Sequence, residues 1–95
     1  MRTHGAAVIA VGIFLSLTGA PALWWALVGL AVGLVLVAEM ANTAIETLAD
    51  HLHPGQHPEI GVVKDVAAGA VLVASLVAVL VGLAYLATLL PGLVI

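Results

Sequence analysis

Leu34-Val35-Leu36-Val37-Ala38-Glu39-Met40-Ala41-Asn42-Thr43-Ala44-Ile45-Glu46-Thr47-Leu48-Ala49-Asp50 is the stretch that decides the fold. It begins as an aliphatic run and ends in three acids and an amide. At about 100° per residue, Glu39, Asn42, Glu46 and Asp50 fall within an arc of roughly 80° on a helix. The segment therefore reads as one helix that leaves a membrane with a polar stripe on one face. A charged side chain in hydrocarbon costs on the order of 2.5–3.5 kcal/mol even on the lenient insertion scale. Several acids on one face add mutual repulsion. The stripe calls for a cation: a metal ion, a lysine, or both.

The surrounding chain supports a membrane setting. Of its 95 residues, 64% are hydrophobic and only 7% are charged, where a soluble domain carries about 25% charged residues. Thr3 to Ala38 holds no Asp, Glu, Lys or Arg, and neither does Val66 to Ile95. Apart from Arg2, all charge lies between Glu39 and Asp65. Two greasy stretches thus flank one polar centre. With no cysteine, the chain has no disulfide framework and no thiolate metal site. Two bases against five acids argue against a basic nucleic-acid surface.

The first greasy stretch is too long for one span, and Thr18-Gly19-Ala20-Pro21 breaks it with turn chemistry. We expect an all-α, single-domain membrane protein over residues 1–95, with helices at about 5–17, 22–49 and 59–90. The first is short for a span and fits by tilt or local thinning. A secretory leader is the alternative there, with Arg2 ahead of an apolar run. The span is preferred because the second helix and the polar centre need a neighbouring helix. Trp24 and Trp25 suit an interfacial belt. His51-Leu52-His53-Pro54-Gly55-Gln56-His57-Pro58 reads as a polar loop, and Pro91-Gly92 as the end of the third helix.

Three spans put the N-terminus and the second loop on one side. Arg2 and Lys64, the two bases, both fall there, so that side is expected to be cytoplasmic. Gly29 and Gly33 offer one small-residue packing face, consistent with oligomerisation. Gly69, among Ala67, Ala68 and Ala70, offers another. Folding the third helix back on the second brings Lys64 near the level of Glu46 and Asp50.

Carboxylates and a lysine at a membrane–water boundary suit phosphoryl transfer. One carboxylate can hold Mg²⁺ together with phosphate oxygens and water. Lysine offsets phosphate charge. Another carboxylate can accept the proton of an attacking hydroxyl, which a lipid alcohol presents at this depth. Blander readings stand beside this one. Glu39 alone would serve a proton-coupled transporter or a non-catalytic membrane subunit. Asp50 at a helix end would be solvated, Asn42 would pack helices, and Lys64-Asp65 would be a helix-start ion pair. Tyr85 and Thr88 read as packing groups. His51 and His53 read better as solvated loop histidines than as metal ligands.

Ala38 to Asp50, containing Glu39-x-x-Asn42-Thr43-Ala44-Ile45-Glu46-x-x-x-Asp50, resembles the signature of the prokaryotic diacylglycerol kinase/undecaprenol kinase family. Lys64-Asp65-Val66-Ala67-Ala68-Gly69-Ala70-Val71 is similar to that family's second motif. The spacing from Asp50 to Asp65, the loop His57-Pro58 and the opening Arg2-Thr3-His4 also match. The resemblance covers essentially the whole chain. It implies a homotrimeric, multi-pass lipid kinase of the bacterial inner membrane, with active sites shared between protomers and facing the cytoplasm. ATP would be the phosphoryl donor, Mg²⁺ the cofactor, and diacylglycerol or undecaprenol the acceptor. Thr43 beside Asn42 and the Arg2-Thr3-His4 opening lean toward undecaprenol. Carried over position by position, Glu39 would be the catalytic carboxylate acting on the lipid hydroxyl, and Glu46 would ligate the ATP-bound Mg²⁺. Lys64, Asp65 and His57 would contact the nucleotide, with Lys64 on its phosphates. Asn42 and Asp50 would orient this shell, and Arg2 would lie near the lipid headgroup.

Two features depart from the family pattern. Members usually open with a basic, aromatic-rich amphipathic surface helix that ends in a Glu, a second ligand for the metal. This chain starts after that point. A start placed too late, an upstream piece on another chain and an impaired enzyme are the explanations, and the first is preferred. An acid common in the family's loop is replaced here by Gly55.

Overall fold

The computed structural model describes residues 2–55 and 57–90, with side chains from His4 onward. Three helices follow in order: α1 Arg2–Leu17, α2 Ala22–Leu52 and α3 Pro58–Thr88. The all-α expectation holds; the end of α1 at Leu17 and the start of α2 at Ala22 fall as expected, and the other four boundaries move by one to three residues. α1 starts three positions before Gly5, which does not interrupt it. α2 runs past Ala49 because nothing breaks it before His53, which precedes Pro54 and leaves the helical region at φ -137 and ψ 74. α3 takes Pro58 as its first residue, where the missing N–H costs nothing. It ends at Thr88, short of the expected 90. The expected stop at Pro91-Gly92 lies outside the described residues.

The turn between α1 and α2 is a Schellman closure. Ala20 N–H donates to the Leu15 carbonyl at 3.0 Å, and Gly19 N–H donates to the Ser16 carbonyl at 3.2 Å. Gly19 sits at φ 66, which glycine reaches without the clash of a Cβ. Pro21 then caps α2, its carbonyl accepting from Trp24 N–H at 3.0 Å.

α2 and α3 form a long antiparallel hairpin, and α1 leans on α2 with fewer contacts. Each long helix has 31 residues, about 46 Å at the α-helical rise. Both are long and apolar enough to cross a bilayer, while α1 is a shorter apolar helix. The buried positions of the pair are mostly alanine: Ala31 and Ala49 on α2, Ala67 and Ala74 on α3. Within each helix these positions recur at whole turns, so they form one stripe. Small side chains there let the backbones approach. The expected small face of α3 is thus centred on Ala67, with Gly69 only half-buried. Gly29 and Gly33 are open, with no atom within 4 Å of where a Cβ would stand. The large aliphatic side chains point outward, including Leu30, Val37, Leu72 and Leu80. An apolar exterior around a thin small-residue seam suits lipid rather than water.

Tyr85 locks the end away from the polar loop. It is 3% exposed, stands edge-on to Phe14 at 6.1 Å between ring centres, and packs on Trp24 at 5.3 Å. Its hydroxyl bonds that of Thr18. One α3 side chain therefore ties α1, the turn and α2 together, which bears out the packing role read for Tyr85. Trp24 joins that cluster while Trp25 stays exposed.

Candidate active site

The polar stripe of α2 is a run of pairings made at successive levels. Nearest the apolar end, Glu39 is half-buried and faces His4 of α1, with His4 Nε2 at 4.0 Å from Glu39 Oε1. One turn on, Asn42 Nδ2 donates to Glu46 Oε1 at 3.3 Å. At the outer end, Lys64 of α3 pairs with Asp50. The lysine expected across the loop is present, on Asp50 rather than Glu46. The hairpin register decides this: α3 turns back at Pro58, which brings Lys64 level with the last turns of α2.

Exposure rises along the stripe. Glu39 and Asn42 are intermediate, whereas Glu46 and Asp50 are exposed. The Asn42 carboxamide donates to Glu46 but leaves its Oδ1 buried without a partner. An orphaned buried oxygen costs about 1–3 kcal/mol, so Asn42 offers an acceptor that the protein itself does not satisfy. Oxygen donors, one of them a carboxylate, suit a hard cation such as Mg²⁺, which takes one or two protein carboxylates and fills its shell with phosphate oxygens and water. Among the described residues no three acids or histidines gather as a self-sufficient metal cage. The donor set thus fits a cation that arrives with its own oxygen ligands.

Beyond the stripe, a hollow of about 440 Å³ opens at the loop, lined by Gly55, His57, Pro58, Ile60, Gly61 and Lys64. Two of the residues read as nucleotide contacts, His57 and Lys64, therefore share one cavity. Asp65 is exposed and does not line it. His57 caps α3, accepting from Gly61 N–H at 3.0 Å, and meets His53 edge-on at 5.2 Å between ring centres. His51 and His53 are exposed, but His51, expected in the loop, belongs to the last turn of α2, and His53 is the residue that ends it. Arg2 opens α1, and its side chain lies outside the described residues. His4 faces Glu39 without any motif of its own in the sequence to mark it. The signal was available, because a three-span topology places residue 4 on the side of the loop, level with Glu39.

Within one chain the parts are spread out. Glu39 and Asp50 lie about 16 Å apart along α2 at the helical rise. The base candidate and the lysine-lined hollow thus sit at opposite ends of the stripe.

A membrane helix hairpin with a carboxylate, a carboxamide, a second carboxylate and a lysine-bound third defines the class: an all-helical membrane protein with an acidic stripe on one helix face. The chain belongs to the prokaryotic diacylglycerol kinase family, whose pattern matches residues 1–86. It is 36% identical over 80 residues to an undecaprenol kinase of Bacillus subtilis, covering 84% of this chain and 65% of that protein. It is 41% identical over 83 residues to a diacylglycerol kinase of a Synechocystis species, covering 85% of this chain and 47% of that protein. The chain therefore spans between about half and two thirds of the length of these relatives. No solved structure matches it.

Proposed function

We propose that this protein transfers the γ-phosphoryl group of ATP to the hydroxyl of a membrane lipid, diacylglycerol or undecaprenol, at the cytoplasmic face of the bacterial inner membrane. The observation that carries the reading is the placement of Glu39, Glu46 and Asp50 down one face of α2, with Lys64 joined to Asp50 beside the His57 hollow. Family membership and the two named relatives support it.

In this reading the lipid lies along the apolar exterior and presents its hydroxyl at the level of Glu39. The hydroxyl oxygen attacks the γ-phosphorus. As the new O–P bond forms, the bond to the β–γ bridging oxygen breaks and its electron pair leaves with ADP. Glu39 accepts the hydroxyl proton and later gives it to water. Lys64 moves from Asp50 to the nucleotide phosphates, and Asp50 keeps it near when the site is empty. His57 and Asp65 contact the nucleotide, and Arg2 the lipid headgroup. Glu46, oriented by Asn42, would hold Mg²⁺ together with phosphate oxygens. When bound, that ion neutralises phosphate charge and aligns the γ-phosphoryl group.

The separation of Glu39 from the Lys64 hollow favours active sites completed between protomers. A homotrimer of three-span chains, with α1 crossing at a tilt, fits that need. It would also cover Gly29 and Gly33, which the single chain leaves open.

The test is a labelled-ATP assay in bicelles, using the full natural chain with any upstream segment and either lipid as acceptor. Phosphorylation of at least one lipid, lost by two orders of magnitude or more in Glu39→Gln, is the expected result. Failure with both lipids, together with an ion flux altered by Glu39→Gln, would sink the kinase reading in favour of transport.

A further inference from the structure

His4 is the one titratable side chain that α1 brings to the stripe among the described residues. Its ring is 34% exposed and the facing Glu39 side chain 32% exposed. Every other polar contact described for the stripe comes from α2 itself or from α3. Yet His4 Nδ1 is buried with no partner, and the same ring closes the end of a small apolar hollow lined by Val8, Val11, Val32, Leu36 and Ala78. A histidine set among aliphatic groups, with one nitrogen orphaned, is placed at a cost. What it gains is the carboxylate at 4.0 Å. At that distance the two groups face each other without a hydrogen bond, and catalytic contacts that are long in a free enzyme tighten when substrate completes a site.

We propose that His4 is a positioning residue: its Nε2 holds the Glu39 carboxylate in the orientation needed to receive the lipid hydroxyl proton. The inference rests on the kinase reading of Glu39 and deepens it. Glutamate turns about three side-chain bonds, and a base that wanders by an ångström loses about a hundredfold in rate. A partner on a second helix removes that freedom. It also makes α1 part of the catalytic apparatus rather than a cover for α2. His4 neither touches phosphate nor takes the proton in this arrangement.

The experiment compares His4→Ala, His4→Asn and His4→Gln in the full natural chain in bicelles. Gln carries an amide nitrogen at the reach of Nε2, and Asn does not. His4→Ala is expected to lower kcat about ten- to a hundredfold with KM for Mg-ATP unchanged. His4→Gln should regain most of the loss and His4→Asn little. A loss shared equally by Gln and Ala, a loss confined to KM for ATP, or no loss in Ala overturns the proposal. A second readout is independent of turnover. The Glu39 carboxylate stretch, isolated as the infrared difference between wild type and Glu39→Gln, should shift in His4→Ala and return in His4→Gln. An unchanged band overturns the contact even in an active enzyme. A shifted band in a wild-type chain that phosphorylates no lipid overturns the kinase reading and leaves the contact standing.

Discussion

Glu39 and Glu46 are the same residue type on the same helix face, but their surroundings differ, as the two roles proposed for them require. Glu39 sits deeper, half-buried and opposite an imidazole. Glu46 is exposed and tied to the carboxamide of Asn42. Proton acceptance suits the first and cation binding the second. Glu46→Ala should therefore raise the Mg²⁺ concentration needed for half-maximal rate by about tenfold or more, and Asn42→Ala by about tenfold, as for an outer partner of a metal ligand. Titrating Mg²⁺ at fixed ATP checks both, and an unchanged requirement in Glu46→Ala removes the metal assignment. The Lys64–Asp50 pair is a different matter. Both side chains are substantially exposed, so the pair contributes at most about 1 kcal/mol to stability. Asp50→Asn should leave thermal stability within a degree or two while changing KM for ATP. A large fall in melting temperature would make the pair structural instead.

At the scale of elements, the hairpin register and the α1–α2 turn do the positioning. α1 has few contacts with α2, yet it must hold His4 level with Glu39. Its far end is held by the Gly19 turn and by Tyr85 reaching across from α3. Tyr85→Phe keeps the ring contacts and removes the hydroxyl bond to Thr18, at about 1 kcal/mol. Gly19→Ala forces a Cβ into a positive-φ site, at about 1 kcal/mol. Both should lower the unfolding midpoint in detergent by a few degrees. A Gly19→Ala protein as stable as wild type would mean the turn adopts another conformation in the membrane. The helix ends show what was legible at this level. Gly19-Ala20-Pro21 announced the first turn, since those residues act on their own backbone, while Pro58, read as the last residue of the loop, is the first of α3. Whether α2 stopped at Ala49 or Leu52 depended on His53 and Pro54 together, and a polar composition alone does not unwind a helix.

For the whole molecule, the arrangement is a thin seam of alanines inside an aliphatic exterior, with one polar end and one aromatic end. If three helices cross the bilayer, the loop at Gly55 and the turn at Ala20 face opposite compartments. The chain has no cysteine, so single cysteines report cleanly. Gly55→Cys should react with a membrane-impermeant thiol reagent only from the cytoplasmic side, and Ala20→Cys only from the other. Labelling of both from one side would mean that α2 does not cross. Light scattering of the detergent-solubilised protein should give the mass of three chains, and a monomeric mass with full activity would contradict shared active sites.

By itself the sequence determined the helical class, the number of helices, the polar centre and the family. Each of these depends on local chemistry: apolar runs long enough for a bilayer, proline and glycine at breaks, and acids spaced at helical intervals. The resemblance of two motifs added the candidate roles of Glu39, Glu46, His57, Lys64 and Asp65. Only the tertiary structure decided the partners. Of the two acids expected at its level Lys64 meets Asp50, Tyr85 secures the end of α1, and His4 faces Glu39. Those pairings join residues far apart in the chain. They depend on how two helices slide and rotate against each other, and a difference of one turn would change the partners of Glu39 and Asp50.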